Sequence, residues 1–237
     1  MSASAAASDP ATTDPARRSH AATPAGVEGV AIDSAAIRGA LRRCRVIVER
    51  HAAYLTRLDT VLGDGDHGDN LVIGFRAVGA LLEELPAETL PGELLQAVGH
   101  RLVAAVGGAS GPLYGTAFLE AGARAEDRSV LDGRAIAGML NGAADGLARR
   151  GRCTIGDKTI LDTLAPAAAE LASALDSGAP MGAAWGAAVR AAATGARSTR
   201  SLVARRGLAL RLGERSTGHL DPGAMSCLLL LRALGGR

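Results

Sequence analysis

The sequence of 237 residues has very few aromatic side chains: one tryptophan, two tyrosines and two phenylalanines, together 2% of the chain. Its core must therefore consist mainly of alanine, leucine, valine and isoleucine. This mixture favours closely packed helices, because alanine has the highest helix propensity and a small side chain. Strand signals are weak, since no sustained alternation of apolar and polar residues is flanked by turn pairs. We therefore predict an all-α fold.

Other absences limit the classes of function. The formal net charge is only +2, so the chain lacks the basic surface that is typical of nucleic-acid-binding proteins. No run approaches the roughly 18 apolar residues of a membrane span. The three cysteines, Cys44, Cys153 and Cys227, fit neither a zinc motif nor a disulfide framework. We expect a protein of the reducing cytoplasm.

The first 30 residues differ in composition from the rest of the chain. Residues 1–30 are rich in Ala, Ser, Thr and Pro, which predicts a disordered tail because such a segment cannot bury enough apolar surface to fold. Arg17 and Arg18 form a twin arginine, but no apolar segment follows them, so we do not predict a secretion signal. Residues 31–237 are long enough for one domain with one core.

Apolar periodicity and chain breakers predict about eight helices joined by short loops, hence a helical bundle or barrel. Asp33 or Ser34 is a plausible cap for the first helix, and Pro166 is expected to kink or break the sixth. The expected helices begin near residues 33, 69, 94, 112, 133, 158, 181 and 221. The chemically interesting residues fall in loops between them, where binding sites are commonly built.

The strongest chemical signal is the acidic segment that ends at Asn70. Its carboxylates belong to Asp59, Asp64, Asp66 and Asp69 and repel one another unless a cation lies among them. Intervening glycines allow a sharp backbone path that points several side chains at one centre. Hard oxygen ligands of this kind suit Mg²⁺ or Ca²⁺.

An EF-hand does not explain this segment. Counting from Asp64, the sixth position is Asp69 rather than glycine and the twelfth is Phe75 rather than glutamate. Two interpretations remain: a Mg²⁺ site completed by phosphate oxygens, and a solvated acidic turn that caps the next helix.

Three further loops are rich in glycine or polar residues. The loop 107–112 exposes backbone N–H groups before a helix start, which attracts anions, but it is neither a Walker loop nor a nucleophile elbow, and a plain turn is the alternative. The loop 156–159 holds Lys158, the only lysine of the chain, at a phosphate site or a surface helix start. In the loop 213–223, Asp221 is expected to cap the last helix.

Together these four segments resemble the L subunit of bacterial dihydroxyacetone kinases and the C-terminal domain of the single-chain, ATP-dependent kinases. The resemblance spans about residues 35–235. The runs that carry it occur in the family's order: Leu58-Asp59 with Gly63-Asp64-Gly65-Asp66-His67-Gly68; Gly107-Gly108-Ala109-Ser110-Gly111-Pro112-Leu113-Tyr114-Gly115; Gly156-Asp157-Lys158-Thr159; and Leu212-Gly213-Glu214-Arg215-Ser216 with Gly218-His219 and Asp221-Pro222-Gly223-Ala224.

The resemblance implies an antiparallel barrel of eight helices with a nucleotide site at one end. It implies that Asp59, Asp64 and Asp66 ligate two Mg²⁺ ions that bridge the phosphates of ADP or ATP. The residues that it implies for nucleotide contact are His67, Gly68, Asn70, Ala109, Ser110, Gly151, Ile160, Asp221, Pro222 and Gly223.

The resemblance also implies a division of labour. A separate K subunit holds dihydroxyacetone covalently, so this chain supplies no catalytic residue beyond the metal site. In some members a phosphocarrier protein of the phosphotransferase system rephosphorylates bound ADP, and in others ATP exchanges freely. One departure stands out: Leu208 occupies the position of an arginine that helps to hold the phosphates in the family. Arg205, Arg206 and Arg211 are the candidates to replace it.

Three functions are therefore open. The first is an active kinase subunit for dihydroxyacetone or a related short ketose. The second is a nucleotide-sensing regulatory module without turnover, which the change at Leu208 suggests. The third is a metal-dependent phosphohydrolase, for which the sequence offers no positioned base.

Overall fold

The computed structural model describes residues 1–2 and 31–236, so the predicted disordered tail lies outside the described residues from position 3 to position 30. The described part is almost entirely helical. Its eight α-helices are α1 (Ser34–Leu62), α2 (His67–Glu84), α3 (Pro91–Ala105), α4 (Ser110–Ala125), α5 (Gly133–Gly151), α6 (Leu161–Asp176), α7 (Met181–Ser198) and α8 (Pro222–Leu234).

Two short strands and two 3₁₀-helices complete the described part of the chain. Strand β1 (Ile32–Asp33) pairs in antiparallel fashion with β2 (Val130–Leu131). The 3₁₀-helices cover Thr199–Ser201 and Leu208–Ser216. The second of these is a structural element that the sequence analysis did not predict, and only its last residues, 213–216, fall in the polar loop identified there.

The helices form a closed ring. Each α-helix packs against the next along the chain, and α8 returns to pack against α1. Short connections make successive helices antiparallel. This arrangement confirms the predicted all-α barrel of eight helices.

Most helix ends lie within about three residues of their predicted positions. Asp33 caps α1 as expected, accepting a hydrogen bond from the Ala36 N–H at 2.8 Å. The sequence predicts a kink or a break at Pro166, but α6 continues through this residue, so a break does not occur. Pro166 cannot donate to the carbonyl of Asp162, and Gly195 of α7 packs against that carbonyl at a spacing that a Cβ atom would not allow.

One apolar core runs through the barrel, built mainly from leucine and alanine. An apolar pocket of about 460 Å³ that is partly open to solvent lies against this core, and its lining includes Phe118, Met139 and Trp185. Trp185 packs against the core, and its half-buried indole donates to the Leu231 carbonyl at 3.2 Å. Among the described residues, we find no helix long and apolar enough to cross a bilayer.

Candidate functional site

The four polar loops meet around one cleft of about 740 Å³. The cleft is lined by the end of α1, the starts of α2 and α4, the segment between α5 and α6, the second 3₁₀-helix and the start of α8. Segments that are more than 150 residues apart in sequence therefore form one site.

Three of the four predicted carboxylates converge in this cleft. One oxygen from each of Asp59, Asp64 and Asp66 lies within 4.8 Å of the others. Asp59 is buried, whereas Asp64 and Asp66 are exposed. Asp69 stands apart from this cluster on the exposed first turn of α2. The arrangement has the oxygen donors and the open face that a divalent cation requires.

The Asp59 carboxylate also folds the loop that follows it. Its Oδ2 atom accepts backbone N–H groups from Gly65 at 3.0 Å, Asp66 at 3.0 Å and His67 at 3.2 Å. Gly63 leaves space beside the other oxygen, since a Cβ atom there would overlap Asp59 Oδ1. Gly65 has a φ of 79°, a conformation that glycine adopts without strain. The loop thus fixes one oxygen and keeps the second accessible.

The surroundings of Asp59 and Asp66 disfavour the ionised form of each carboxyl group. Burial raises the pKa of Asp59, the three backbone hydrogen bonds oppose this, and the neighbouring Asp64 raises it further. Desolvation also raises the pKa of Asp66, with Asp64 and Asp59 adding to the effect. A bound cation would relieve both causes, because it offsets repulsion and stabilises the ionised form.

His67 links the acidic loop to two other elements. Its Nδ1 atom lies 3.0 Å from Ser110 Oγ at the start of α4, and its Nε2 atom lies 2.8 Å from Ser226 Oγ on α8. Ser226 Oγ in turn lies 2.7 Å from the Tyr114 hydroxyl. Desolvation lowers the pKa of His67 to about 4, so the ring is neutral at pH 7. With both nitrogens engaged, His67 is a positioned structural group rather than a free base.

Lys158 holds together three segments that border the cleft near the start of α6. It is 1% exposed, and its ammonium donates to the carbonyls of Thr199 and His219, each at 2.5 Å. The prediction of a surface helix start at this position is therefore wrong. Burial lowers the pKa of Lys158, while Asp221 and Asp162 oppose the shift. Lys158 joins three polar segments and needs a compact cation to do so.

Two carboxylates complete this side. Asp162 accepts the Gly156 N–H at 2.6 Å and the Thr159 N–H at 2.7 Å, which closes the loop before α6. Asp221 caps α8 as predicted, accepting the Ala224 N–H at 2.7 Å. Desolvation raises the pKa of Asp221 to about 7, although the Ala224 N–H and Lys158 lower it.

Comparison with known families agrees with this geometry. The model of the DAK2 domain matches residues 61–236, about three quarters of the chain. This chain belongs to the DAK2 domain family. The family that the sequence motifs indicated is thus confirmed.

Relatives of this DAK2 domain are kinase subunits and whole kinases. It is 40% identical over 204 residues to the ADP-binding subunit DhaL of a PEP-dependent dihydroxyacetone kinase from Listeria innocua, covering 86% of this chain and 94% of that protein. It is 38% identical over 181 residues to D-erythrulose kinase of Mycolicibacterium smegmatis, covering 76% of this chain and 31% of that protein.

A solved structure shares the fold of this DAK2 domain. It is the dihydroxyacetone kinase from C. freundii in complex with AMP-PNP and Mg²⁺, at 26% identity and a TM-score of 0.67. The similarity covers 95% of this chain and 38% of the solved chain. The DAK2 domain therefore corresponds to one part of that larger protein.

The DAK2 domain brings nearly all the predicted site residues into the cleft. The exception is Gly68, which lies behind the lining, where a Cβ atom would overlap the Ala52 carbonyl of α1. The predicted residues that line the cleft are Asp59, Asp64, Asp66, His67, Asn70, Ala109, Ser110, Gly151, Ile160, Asp221, Pro222 and Gly223. Their contacts with a nucleotide remain predictions.

Several residues that shape the site were not predicted. Tyr114 and Ser226 position His67, and Asp162 shapes the loop that holds Lys158. The sequence offered one indication of Ser226: it is a polar residue within the otherwise apolar sequence of α8. Arg206 and Arg211 also line the cleft, whereas Arg205 is not among the lining residues.

Proposed function

We propose that this chain is the nucleotide-binding subunit of a dihydroxyacetone-type kinase, which holds ADP or ATP through Mg²⁺. The observation that carries this proposal is the convergence of Asp59, Asp64 and Asp66 at a cleft that is also bordered by the start of α4. Carboxylates without enough donors to enclose a cation suit Mg²⁺ that shares phosphate oxygens. Bound Mg²⁺ would neutralise phosphate charge and orient the group for in-line transfer.

The residues around the carboxylates suit the nucleotide. The start of α4 offers backbone N–H groups at Ser110 and Gly111, since Pro112 has none and the Leu113 N–H bonds the Ala109 carbonyl, and helix starts attract anions. His67 is held neutral by burial and is fixed on both ring nitrogens, so it can border the phosphates without adding or removing a proton. These residues bind and orient, and we assign none of them a proton-transfer role.

The acceptor in this proposal is dihydroxyacetone or a related short ketose on a separate K subunit. The relatives support this class, because one is an ADP-binding kinase subunit and another is a kinase for erythrulose. A phosphocarrier protein or ATP would supply the phosphoryl group. The number of Mg²⁺ ions, proposed as two, and a location in the cytoplasm belong to the same proposal.

A calorimetric titration of the chain with ADP tests the nucleotide site. We expect binding in Mg²⁺, loss of binding with a chelator, and roughly 100-fold or weaker binding by Asp64→Asn, since a metal ligand is lost. Asp69→Asn is the matched control, because this carboxylate lies in the same segment but outside the cluster. Equal weakening by both substitutions would argue against the assigned ligands.

Reconstitution separates turnover from sensing. A regulatory module without turnover is the second candidate, favoured by Leu208, an apolar side chain that is 40% exposed at the cleft. Adding a K subunit, dihydroxyacetone and ATP, or the phosphocarrier system, should yield the ketose phosphate if the chain is a kinase subunit. Tight Mg²⁺-ADP binding without product in either assay would favour the sensing module. A phosphohydrolase would instead release phosphate without any partner.

A further inference from the structure

The second 3₁₀-helix presents two side chains to the cleft from one face. A 3₁₀-helix has three residues per turn, so side chains three positions apart eclipse one another. Leu208 and Arg211 are such a pair, and both line the cleft. Ala209 is buried against Leu62 and Ala204, and Leu212 packs on the same small cluster. Ala209 and Leu212 therefore anchor the helix, although Ala209 also borders the cleft and Leu212 the adjoining cavity. Leu208 and Arg211 are the exposed side chains of this helix that line the cleft.

Arg211 lies on the side of the cleft where the carboxylates converge. Together with Leu208 it lines a smaller adjoining cavity of about 300 Å³ that Gly63 and Asp64 border from the other side. Its side chain nevertheless forms no salt bridge within 4.0 Å in the described part of the chain. An exposed guanidinium that shares a cavity with the Asp64 carboxylate but forms no salt bridge with it is available for an anionic ligand.

The other cations near the cleft are engaged, lie outside its lining or stand elsewhere in it. Arg150, at the end of α5, lines the cleft but does not border the smaller cavity beside Asp64. Arg206 lies 3.4 Å from Asp157, and one of its terminal nitrogens donates to the Arg205 carbonyl at 3.2 Å. Lys158 is committed to two backbone carbonyls. Arg205 does not line the cleft. Within segment 205–216, Arg211 is thus the cation that both faces the cleft and lacks a carboxylate partner in the described residues.

We infer that Arg211 binds the terminal phosphate of the nucleotide, on the side of the cleft that Asp64 borders. This inference rests on the proposed nucleotide-binding function and names the group that balances the phosphate charge. The guanidinium donates to phosphate oxygens from the face of the 3₁₀-helix that Leu208 shares. Leu208 adds an apolar contact one turn away and no charge.

Calorimetry with Mg²⁺-ADP on the full chain tests the inference. Arg211→Ala should weaken binding by roughly 10- to 100-fold, the range expected for losing charge-assisted hydrogen bonds. The thermal midpoint of the nucleotide-free protein should stay unchanged, because Arg211 is exposed and unpaired. Arg205→Ala is the matched control for net charge, since it removes an exposed arginine from the same segment outside the cleft lining.

A charge swap tests the shared face directly. The double variant Leu208→Arg with Arg211→Leu moves the guanidinium one turn along the same face, so it should recover most of the lost affinity. A swapped chain that binds as weakly as Arg211→Ala would overturn the argument. So would an Arg211→Ala affinity within twofold of the wild type, or an equal loss in Arg205→Ala. If the wild-type chain itself failed to bind Mg²⁺-ADP, the proposed function would fail together with this inference.

Discussion

Two walls of the cleft differ in how they are held: the metal wall, residues 59–70, and the arginine wall, residues 204–216. In the metal wall, the Asp59 carboxylate accepts three backbone N–H groups, and the ring of His67 is fixed by two other helices. The arginine wall is a 3₁₀-helix on a small cluster of Leu62, Ala204 and Ala209. Its polar anchors are few, chiefly the Ser216 hydroxyl between the Ala204 N–H and the Gly213 carbonyl.

The difference matches what each wall would bind. A cation needs its oxygen donors at fixed distances, so a wall embedded between long helices suits it. A phosphate group can be reached by a long, flexible arginine from more than one position. We therefore expect substitutions in the metal wall to cost folding stability as well as binding, and those in the arginine wall to act mainly on binding.

Two leucine-to-alanine substitutions, one beside each wall, should show the largest difference in folding stability between the walls. Leu71 on α2 directly follows the metal wall and is fully buried in the main core, so Leu71→Ala should lower the free energy of unfolding by roughly 3–4 kcal/mol. Leu212 is only partly buried against the small cluster, so Leu212→Ala should cost about 1 kcal/mol. Urea unfolding monitored by circular dichroism measures both. Similar losses would mean that the two walls are equally well anchored.

The pH dependence of stability tests the side that Lys158 fastens. Asp221 has a folded-state pKa of about 7, raised mainly by desolvation. A raised pKa means that the folded state binds the proton more tightly than the unfolded state does. The contribution of Asp221 to the free energy of unfolding therefore falls as the pH rises from about 4 to 7. Because Asp221 as a whole residue is only half-buried at the cleft, we expect the effect to be on the order of 2 kcal/mol.

Asp221→Asn removes that ionisation while keeping an oxygen for the Ala224 N–H. The free energy of unfolding of the variant, relative to that of the wild type, should therefore be higher at pH 8 than at pH 5. Urea unfolding at the two pH values gives this difference. A difference that does not change with pH would show that the unfolded and folded carboxyl groups titrate alike.

The ion pair between Arg206 and Asp157 should give the smallest effect. The two groups are 3.4 Å apart and Arg206 is about half exposed, so the pair should contribute less than about 0.5 kcal/mol to folding. Arg206→Ala should leave the unfolding midpoint nearly unchanged, as should Arg42→Ala at an exposed pair on α1. A clear loss for Arg206→Ala alone would show that the arginine wall is better fastened than its contacts suggest.

The sequence was most informative where structure depends on local pattern. Apolar spacing and capping residues located all eight helices. The acidic segment with Asp59, Asp64, Asp66 and Asp69 indicated a common centre, and the family resemblance narrowed it to the three that the structure brings together. The family follows from motifs in four loops and was confirmed. In each case the decisive residues are close together in the chain or belong to an ordered set of short motifs.

Features that depend on distant partners were not predictable. Ser226 contacts His67 across 159 positions, and Lys158 binds carbonyls 41 and 61 positions away. Lys158 is buried because those distant carbonyls accept its hydrogen bonds. The local sequence shows only that a lysine stands at this position in a chain that otherwise uses arginine. The second 3₁₀-helix was not predicted because it is short and its period of three matches neither the α-helical nor the strand pattern.

Lys158 also gives this protein a natural chemical label. It is the only lysine among 237 residues, and it is almost completely shielded. An amine-acylating reagent should therefore spare the side chain while the fold is closed and modify it only when that end of the barrel opens. The rate at which mass spectrometry detects acylated Lys158 would then report opening at one defined position, without any engineered probe.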